Sequence, residues 1–286
     1  MKEILSFRKE YLPRTIFHIC NFAFFFLVAL AMMVPIYKII VDSVEGAARH
    51  GMNLWPRHFT LEAYKLILSH NSLYRPFFIS CYTTIMGTLF GLSICTTAAY
   101  VLIHRELPGQ KFLSYALLFT MIFSGGLIPT YLTMRSLKMI NTLWVILLPG
   151  AVSVYNIMLM RNFFESIPTS LFESAELDGC SPKSIFLRIV LPLSVPALAS
   201  IGLFYAVSFW NEYTTYVIYI TNTQLYNFQV KIRELIIDDQ SLSGGQTYTK
   251  TIQNAVIVVA TLPFLLVYPF IQKYFVTGIT MGAVKE

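Results

Sequence analysis

Six long stretches without an acidic or basic side chain divide this sequence. Each is close to the roughly 20 residues that an apolar helix needs to cross a bilayer. Only 13% of the chain is charged, against about 25% in ordinary soluble domains. The pattern predicts an all-α polytopic membrane protein, organised as a single transmembrane domain over residues 1–286. The six predicted transmembrane helices cover about residues 16–40, 77–103, 112–134, 142–161, 193–218 and 251–275.

Side chains inside the predicted spans indicate packing rather than chemistry. Gly87 and Gly91, four residues apart in the second span, would give that helix a small face suited to close helix packing. The four cysteines form no Cys-x-x-Cys pair. They are therefore predicted to be buried apolar residues, with neither a disulfide nor a metal role.

Basic residues before the first apolar stretch indicate the orientation of the chain. Lys2, Arg8, Lys9 and Arg14 all precede it, and lysine and arginine that flank a span tend to remain in the cytoplasm. We therefore expect a cytoplasmic N-terminus, and six crossings would return the C-terminus to the same side. The same alternation places the polar segment 162–192 in the cytoplasm.

The first half of segment 162–192 carries helix start and stop signals. Ser170 and Glu173 have the spacing of a capping box, in which each side chain bonds the other residue's backbone N–H. A helix is therefore predicted from Leu171 to Asp178. Gly179 would end it, because glycine adopts the left-handed conformation without a steric cost.

A second helix is predicted directly after this turn. Ser181 is a favourable N-cap, and Pro182 suits the first helical position, where its missing N–H costs no hydrogen bond. Pro192 marks the next boundary, at the entry to the fifth apolar stretch. The segment should therefore form two short helices joined at a glycine.

The order of residues in this segment resembles the cytoplasmic EAA loop of bacterial ABC importer permeases. The matching run is Glu173-Ser174-Ala175, followed by Gly179 and by Ile189-Val190-Leu191-Pro192. The resemblance implies a type I ABC importer permease fold, in which this loop is a coupling helix seated in a cleft on the ATP-hydrolysing subunit. The residues to which it assigns ATPase coupling are Glu173, Ser174, Ala175, Glu176, Asp178, Gly179 and Phe186.

The third apolar stretch is interrupted by two glycines and a proline between Ser124 and Tyr131. These residues weaken helical hydrogen bonding, which is tolerated at membrane depth only where protein or a water-filled cavity satisfies the freed groups. We expect a broken backbone over Ser124–Tyr131 that lines or gates a cavity. The octet resembles permeases for oligosaccharides and polysaccharide-derived sugars.

A polar group, Trp210-Asn211-Glu212, lies at the end of the fifth stretch. It has two interpretations: an interfacial aromatic residue beside a solvated glutamate, or a sugar contact, since permeases of the same family carry a similar Trp-Asn pair. In the second interpretation, this group and the broken third span together line a predicted substrate path. Its residues are Gly125, Gly126, Tyr131, Trp210, Asn211 and Glu212.

Residues 219–250 are predicted to form a long outer loop with a charged and glycine-rich tip. Such a loop can be a solvated connection. In maltose-type permeases, however, the loop at this place reaches into the substrate-binding protein, and the resemblance implies the same contact here. The residues concerned are Lys231, Arg233, Asp238, Asp239, Gly244 and Gly245.

The resemblance assigns the chemistry to partner subunits. The sequence has no Gly-x-x-x-x-Gly-Lys-Ser/Thr phosphate loop, so we expect no catalysis and no cofactor in this chain, with ATP and Mg²⁺ held by the ATPases. The implied partners are a second homologous permease, two ATPase subunits, an extracytoplasmic sugar-binding protein and the lipid bilayer.

The net charge of +6 suits anionic inner-leaflet lipid and gives no indication of nucleic acid. We predict a multi-pass permease subunit of an ATP-driven oligosaccharide importer in the bacterial cytoplasmic (inner) membrane.

Two other classes of function were weighed against this prediction. An ion-coupled secondary carrier for a small solute would need acidic residues inside the spans, and only Glu212, near one end of a span, qualifies. An intramembrane protease that used Ser93 of the second span would need a partner histidine on a later span. The last histidine in the sequence is His104. The carrier is the stronger of these two alternatives.

Overall fold

The computed structural model describes residues 2–46, 54–69, 71–104, 106–234, 250–262 and 265. Within these ranges the backbone is almost entirely helical, and the one strand-like pairing is an antiparallel bridge between Glu45 and Phe59. The predicted all-α class is confirmed. The chain divides into two compact units, Met1–Ser69 with Ile236–Thr261 and His70–Leu235 with Leu262–Glu286. A single transmembrane domain stays a prediction.

Most helices are short, and several follow one another with little or no connecting chain. A π-helical turn (Phe186–Val190) joins α9 to α10. The helices are α1 (Lys2–Ser43), α2 (Glu62–Ser69), α3 (Asn71–Ile103), α4 (Gln110–Ile122), α5 (Leu127–Ser136), α6 (Trp144–Ala151), α7 (Val154–Glu165), α8 (Thr169–Leu177), α9 (Pro182–Ile185), α10 (Leu191–Leu193), α11 (Val195–Trp210), α12 (Thr214–Tyr219), α13 (228–234) and α14 (Lys250–Leu262).

In the first unit, polar contacts fasten the connection between α1 and α2. The Glu45 carboxylate accepts the backbone N–H groups of Arg57 and His58 at 2.7 and 3.1 Å. The Ser43 hydroxyl lies 2.6 Å from the Tyr64 hydroxyl on α2. These bonds supply partners for backbone and side-chain groups that the connection leaves without a helical partner.

The second unit is organised around α3, which packs against α6, α7 and α11. Two glycines of α3 receive aromatic rings of α11: a Cβ added at Gly87 would lie 2.5 Å from the Phe209 ring, and one at Gly91 would lie 2.7 Å from the Tyr205 ring. The Tyr205 hydroxyl donates to the Ala151 carbonyl at 3.0 Å, so its polar atom is satisfied inside the core. The small face predicted for the second span is confirmed.

Gly91→Val is therefore expected to destabilise this unit. The new side chain would overlap the buried Tyr205 ring, and overpacking typically costs about 1 to 3 kcal/mol. Thermal unfolding of the purified chain in detergent should show the loss. Gly125→Val is the matched control, because a Cβ there meets no atom of the described part of the chain within 4 Å. Equal unfolding temperatures for the two variants would contradict the close helix contact.

Each predicted span falls on a helix or on a bent pair of helices. Ile16–Ser43 and Leu73–Ile103 are continuous and apolar enough to cross a membrane. The third and fourth predicted spans correspond to helix pairs bent by 117° and 40°, and the fifth follows an 80° bend between Pro182–Leu193 and Val195–Trp210. The sixth begins at Lys250 and, beyond Leu262, lies outside the described residues except for position 265. The number of crossings and the side of each terminus remain predictions.

The break in the third span is shorter than expected. Only residues 123–126 are non-helical, and helix α5 already begins at Leu127. The prediction of a broken backbone through Tyr131 was wrong, because Pro129 lies in the first turn of α5. Proline costs no helical hydrogen bond there.

Two further boundaries also differ from the predictions. Helix α7 continues to Glu165, so the first residues of the predicted coupling segment 162–192 are helical and continuous with the helix of the fourth predicted span. The fifth predicted span does not run continuously to residue 218, because α11 ends at Trp210. The Glu212 carboxylate accepts the Thr215 N–H at 2.8 Å and thereby supports the start of a separate helix, α12.

Candidate functional site

The first helix of the polar segment starts without a capping box. Helix α8 begins at Thr169 with Pro168 at the N-cap and no side-chain cap bond, so the predicted box of Ser170 and Glu173 and the predicted start at Leu171 were wrong. Pro168 holds extended backbone (φ −57°, ψ 130°), and its carbonyl accepts the Leu171 N–H at 3.1 Å. The proline fixes the entry angle and has no N–H of its own to satisfy.

The turn at Gly179 forms as predicted. Gly179 is left-handed at φ +77°, its N–H bonds the Glu176 carbonyl at 3.0 Å, and the Cys180 N–H bonds the Ala175 carbonyl at 2.9 Å. This pair of bonds is the Schellman motif, which satisfies the last carbonyls of a helix. The end of α8 is therefore fixed by the glycine.

The start of α9 is also as predicted. The Ser181 side chain accepts the Ser184 N–H at 3.3 Å, with Pro182 at the first helical position. Serine supplies an acceptor for one free N–H of the new helix, and proline removes another. The chain thus passes from α8 to α9 with the backbone groups of the turn largely satisfied.

Packing divides the predicted coupling residues into two groups. Ala175 and Ile185 are buried in one hydrophobic cluster with Ala99 and Leu102 of α3 and Phe164 of α7. Phe186 is half-buried, with its ring centroid 4.8 Å from that of Tyr100. These side chains attach the segment to the rest of the unit.

The opposite side of α8 faces outward. Leu177 is 90% exposed, and the exposed residues beside it are Glu173, Ser174, Glu176 and Asp178. We call these five residues the docking face. Leu177 was not among the predicted coupling residues, although a leucine between two acidic residues in a polar loop was a usable signal.

The path from α9 to α11 contains a widened turn and an elbow. In the π-helical turn the Leu191 N–H bonds the Phe186 carbonyl five residues back. An α-helical turn would press the Pro192 ring against the Arg188 carbonyl, and the wider π turn relieves that clash. The chain then bends by 80° between Pro182–Leu193 and Val195–Trp210. At the bend, the buried Ser194 hydroxyl donates to the Val190 carbonyl at 2.6 Å.

Three of the predicted substrate-path residues lie in and after the broken third span. Gly125 and Gly126 are exposed, and Gly126 has φ +83°, a conformation that favours glycine. Tyr131 on α5 is half-buried and stacks on Tyr219, with ring centroids 5.7 Å apart. The break is thus open on the surface of the chain, while Tyr131 packs inward.

The other three predicted path residues are placed differently from one another. Trp210 is 4% exposed and packs against the rings of Phe77 and Phe228, at 5.9 and 6.4 Å between centroids. It is a core residue and does not belong to an exposed aromatic belt. Asn211 is exposed, and Glu212 is half-buried. Only Asn211 and Glu212 reach a surface.

Glu212 borders a small cleft at one end of α11. Its carboxylate is partly engaged by the Thr215 N–H, and its backbone carbonyl accepts the side-chain amide of Asn227. The remaining walls of the cleft are Val145, Ile146, Pro149, Gly150, Ser208, Phe209 and Thr215. The cleft therefore combines apolar walls with a few polar groups.

Two of the predicted binding-protein contacts, Lys231 and Arg233, lie on α13. Lys231 pairs with Glu234 at 2.9 Å, and the Arg233 guanidinium lies 4.3 Å from the centroid of the Tyr213 ring. Asp238, Asp239, Gly244 and Gly245 lie outside the described residues. The side chains of Lys231 and Arg233 thus interact with partners in the same part of the chain.

Residues 112–281 match the family described as binding-protein-dependent transport system inner membrane component. The chain belongs to this family. It is therefore a transport permease subunit and not a catalytic one, as the resemblance of the EAA segment indicated.

Two relatives from Bacillus subtilis (strain 168) match nearly the whole permease. The polygalacturonan/rhamnogalacturonan transport system permease protein YtcP is 40% identical over 281 residues, which cover 94% of this chain and 98% of the relative. Protein LplC is 38% identical over 280 residues, covering 94% and 95%. A solved structure of a bacterial ABC transporter involved in the import of the acidic polysaccharide alginate is 30% identical, with a TM-score of 0.83 over 91% of this chain and 96% of that chain.

Proposed function

We propose that this permease is the membrane subunit of an ATP-driven ABC importer for oligosaccharides, with six spans and cytoplasmic termini in the bacterial cytoplasmic membrane. One relative is named for the transport of polygalacturonan and rhamnogalacturonan, and the similar solved structure is of a transporter involved in the import of the acidic polysaccharide alginate. Two continuous helices and three bent pairs account for up to five spans, and α14 would begin the sixth. An ion-coupled carrier is not carried forward, because the family is one of binding-protein-dependent systems.

The docking face is the observation that carries this proposal. A leucine exposed to 90% gains free energy only when a partner covers it, since burial of a leucine side chain is worth about 1.5 to 3 kcal/mol. The acidic residues around it would select a partner cleft with a basic rim. We assign this cleft to the ATPase subunit, with α8 as the coupling helix.

The elbow would transmit movement of the ATPase to the membrane. Closure of two ATPases on ATP would displace α8, and the continuous helical path from Pro182 to Leu193 would pass the displacement to α11 at the 80° bend. Such a rigid-body rotation of packed helices is a standard way to alternate the opening of a cavity. ATP and Mg²⁺ would be held by the ATPases.

On the outer side, the loop that follows α12 would receive the sugar-loaded binding protein. Asn141 fixes its beginning, because the Asn141 side-chain oxygen accepts the Thr221 N–H at 2.6 Å and the Asn222 N–H at 3.1 Å. Lys231, Arg233 and the residues as far as Gly245 would form the contact. A second homologous permease would complete the transmembrane pathway.

The proposal is tested by reconstitution of this permease with a second permease, the ATPase and the binding protein of its own transport system in proteoliposomes. Uptake of a labelled oligosaccharide should require ATP and persist when proton and sodium gradients are collapsed. The panel should compare acidic galacturonate and alginate oligomers with neutral arabino- and galacto-oligosaccharides, the substrate types in the relatives' names. Uptake driven by an ion gradient without ATP would contradict the importer.

A further inference from the structure

A cluster of rings lies where the inner end of α3 meets α9. Tyr100 of α3 has its ring centroid 4.8 Å from that of Phe186 and 4.6 Å from that of His104. The His104 Nδ1 atom lies 2.8 Å from the Tyr100 carbonyl oxygen. The Tyr100 hydroxyl donates a hydrogen bond to the carbonyl oxygen of Pro182 at 3.0 Å.

The hydrogen bond from Tyr100 goes to the backbone of α9 and not to a side chain. The Pro182 carbonyl also accepts the Phe186 N–H of its own helix, so the tyrosine uses the second lone pair of that oxygen. Because the acceptor is a backbone atom of α9, no change of side-chain rotamer on α9 can release this hydrogen bond. Displacement of α9 must therefore either carry Tyr100 along or break the bond.

Helix α3 is not joined to α8 and α9 by a short stretch of chain, as α11 is. Helix α11 follows α10 directly through the elbow at Ser194, whereas α3 meets α9 through the apolar cluster that Ile185 shares with Ala99 and Leu102 and through the Tyr100 ring and hydroxyl. Yet α3 and α11 interlock, because the Phe209 ring lies within 2.5 Å of the position of a Cβ at Gly87. Two helices packed this closely must move together or separate.

We propose that Tyr100 is a positioning residue for coupling, which makes α3 follow α9 when the ATPases displace α8 and α9. This inference rests on the proposed function. The ring stack holds the two elements in contact, and the hydrogen bond fixes their register. Without that bond, α11 would be driven through the elbow while α3 lagged behind.

Tyr100→Phe in the complete reconstituted importer tests this role, because it removes the hydroxyl and keeps the ring stack. A net hydrogen bond is worth about 1 kcal/mol, so we expect about a fivefold fall in oligosaccharide transported per ATP hydrolysed. The transport probe is the panel oligosaccharide that the native importer takes up fastest. Tyr82→Phe is the matched control, since Tyr82 is an exposed tyrosine of the same helix, and it should leave the ratio unchanged.

A distance measurement then separates positioning from a loss of structure. Nitroxide labels at the exposed positions Thr97 and Leu187, in a chain whose four cysteines are replaced, report on α3 relative to the turn after α9. In the native background their distance should be the same without nucleotide and with ATP and vanadate. In Tyr100→Phe it should change between the two states.

These experiments distinguish failure of the positioning role from failure of the proposed function. An unchanged transport ratio, an unchanged distance, or loss of the ATPase from the Tyr100→Phe complex would overturn the positioning role. Failure of the proposed function is distinct, because the native chain itself would then retain no ATPase and show no uptake dependent on ATP.

Discussion

Gly179→Asp is expected to abolish transport by releasing the ATPase while leaving the membrane part of the permease inserted. Gly179 is left-handed at φ +77°, and a side chain there costs about 1 kcal/mol. Among the described residues, no atom lies within 4 Å of the position of a Cβ at Gly179, so we expect the further loss to arise against the partner. Overpacking of that interface typically costs about 1 to 3 kcal/mol, and the added carboxylate increases the negative charge beside Asp178.

The combined loss would weaken ATPase docking about 30-fold to several-hundred-fold, at 1.4 kcal/mol per tenfold. Gly179→Ala should be milder, because it adds a methyl group and no charge. Co-purification of the ATPase with the tagged permease measures the effect, with membrane insertion checked in parallel.

Gly109→Asp is the matched control. Gly109 also has a positive φ, +86°, and no described atom lies within 4 Å of the position of its Cβ, but it lies in the turn before α4. It should retain the ATPase. Normal ATPase recovery and uptake with Gly179→Asp would mean that α8 is not the docking helix.

The sequence predicted the end of α8 better than its start, for a physical reason. A left-handed C-cap strongly requires glycine, so Gly179 was sufficient to place it. An N-cap can be made in several ways, and the proline turn at Pro168 replaced the capping box expected from Ser170 and Glu173. Local spacing alone does not choose between such starts.

Apolar stretches located the long apolar helices and helix pairs, but they could not show where the chain bends. Bends of 117° and 80° depend on proline position and on which backbone groups find partners, and neither is visible in hydropathy. Burial of Trp210 was missed for a related reason. The Phe77 and Phe228 rings that cover it come from elements distant in the sequence, and a tryptophan beside polar residues is equally typical of an interface.

Leu177→Ala is expected to weaken ATPase docking about 30-fold without destabilising the permease. Leu177 is 90% exposed, so its truncation removes almost no contact within the chain. In a complex, truncation to alanine of an anchor residue at the centre of the interface typically costs about 2 kcal/mol or more of binding free energy. Leu177→Asp should be more severe, because docking would then bury a charge that has no partner.

This substitution should therefore lower retention of the ATPase without changing the thermal unfolding of the purified permease. The unfolding temperature of Leu177→Ala should equal that of the native chain, while the ATPase is lost during purification. Leu107→Ala provides the matched control, since Leu107 is a leucine 46% exposed in the turn before α4 and outside the docking face. If Leu177→Ala kept the ATPase as well as Leu107→Ala does, the exposed leucine would not be the anchor, and the acidic residues around it would have to supply the docking free energy alone.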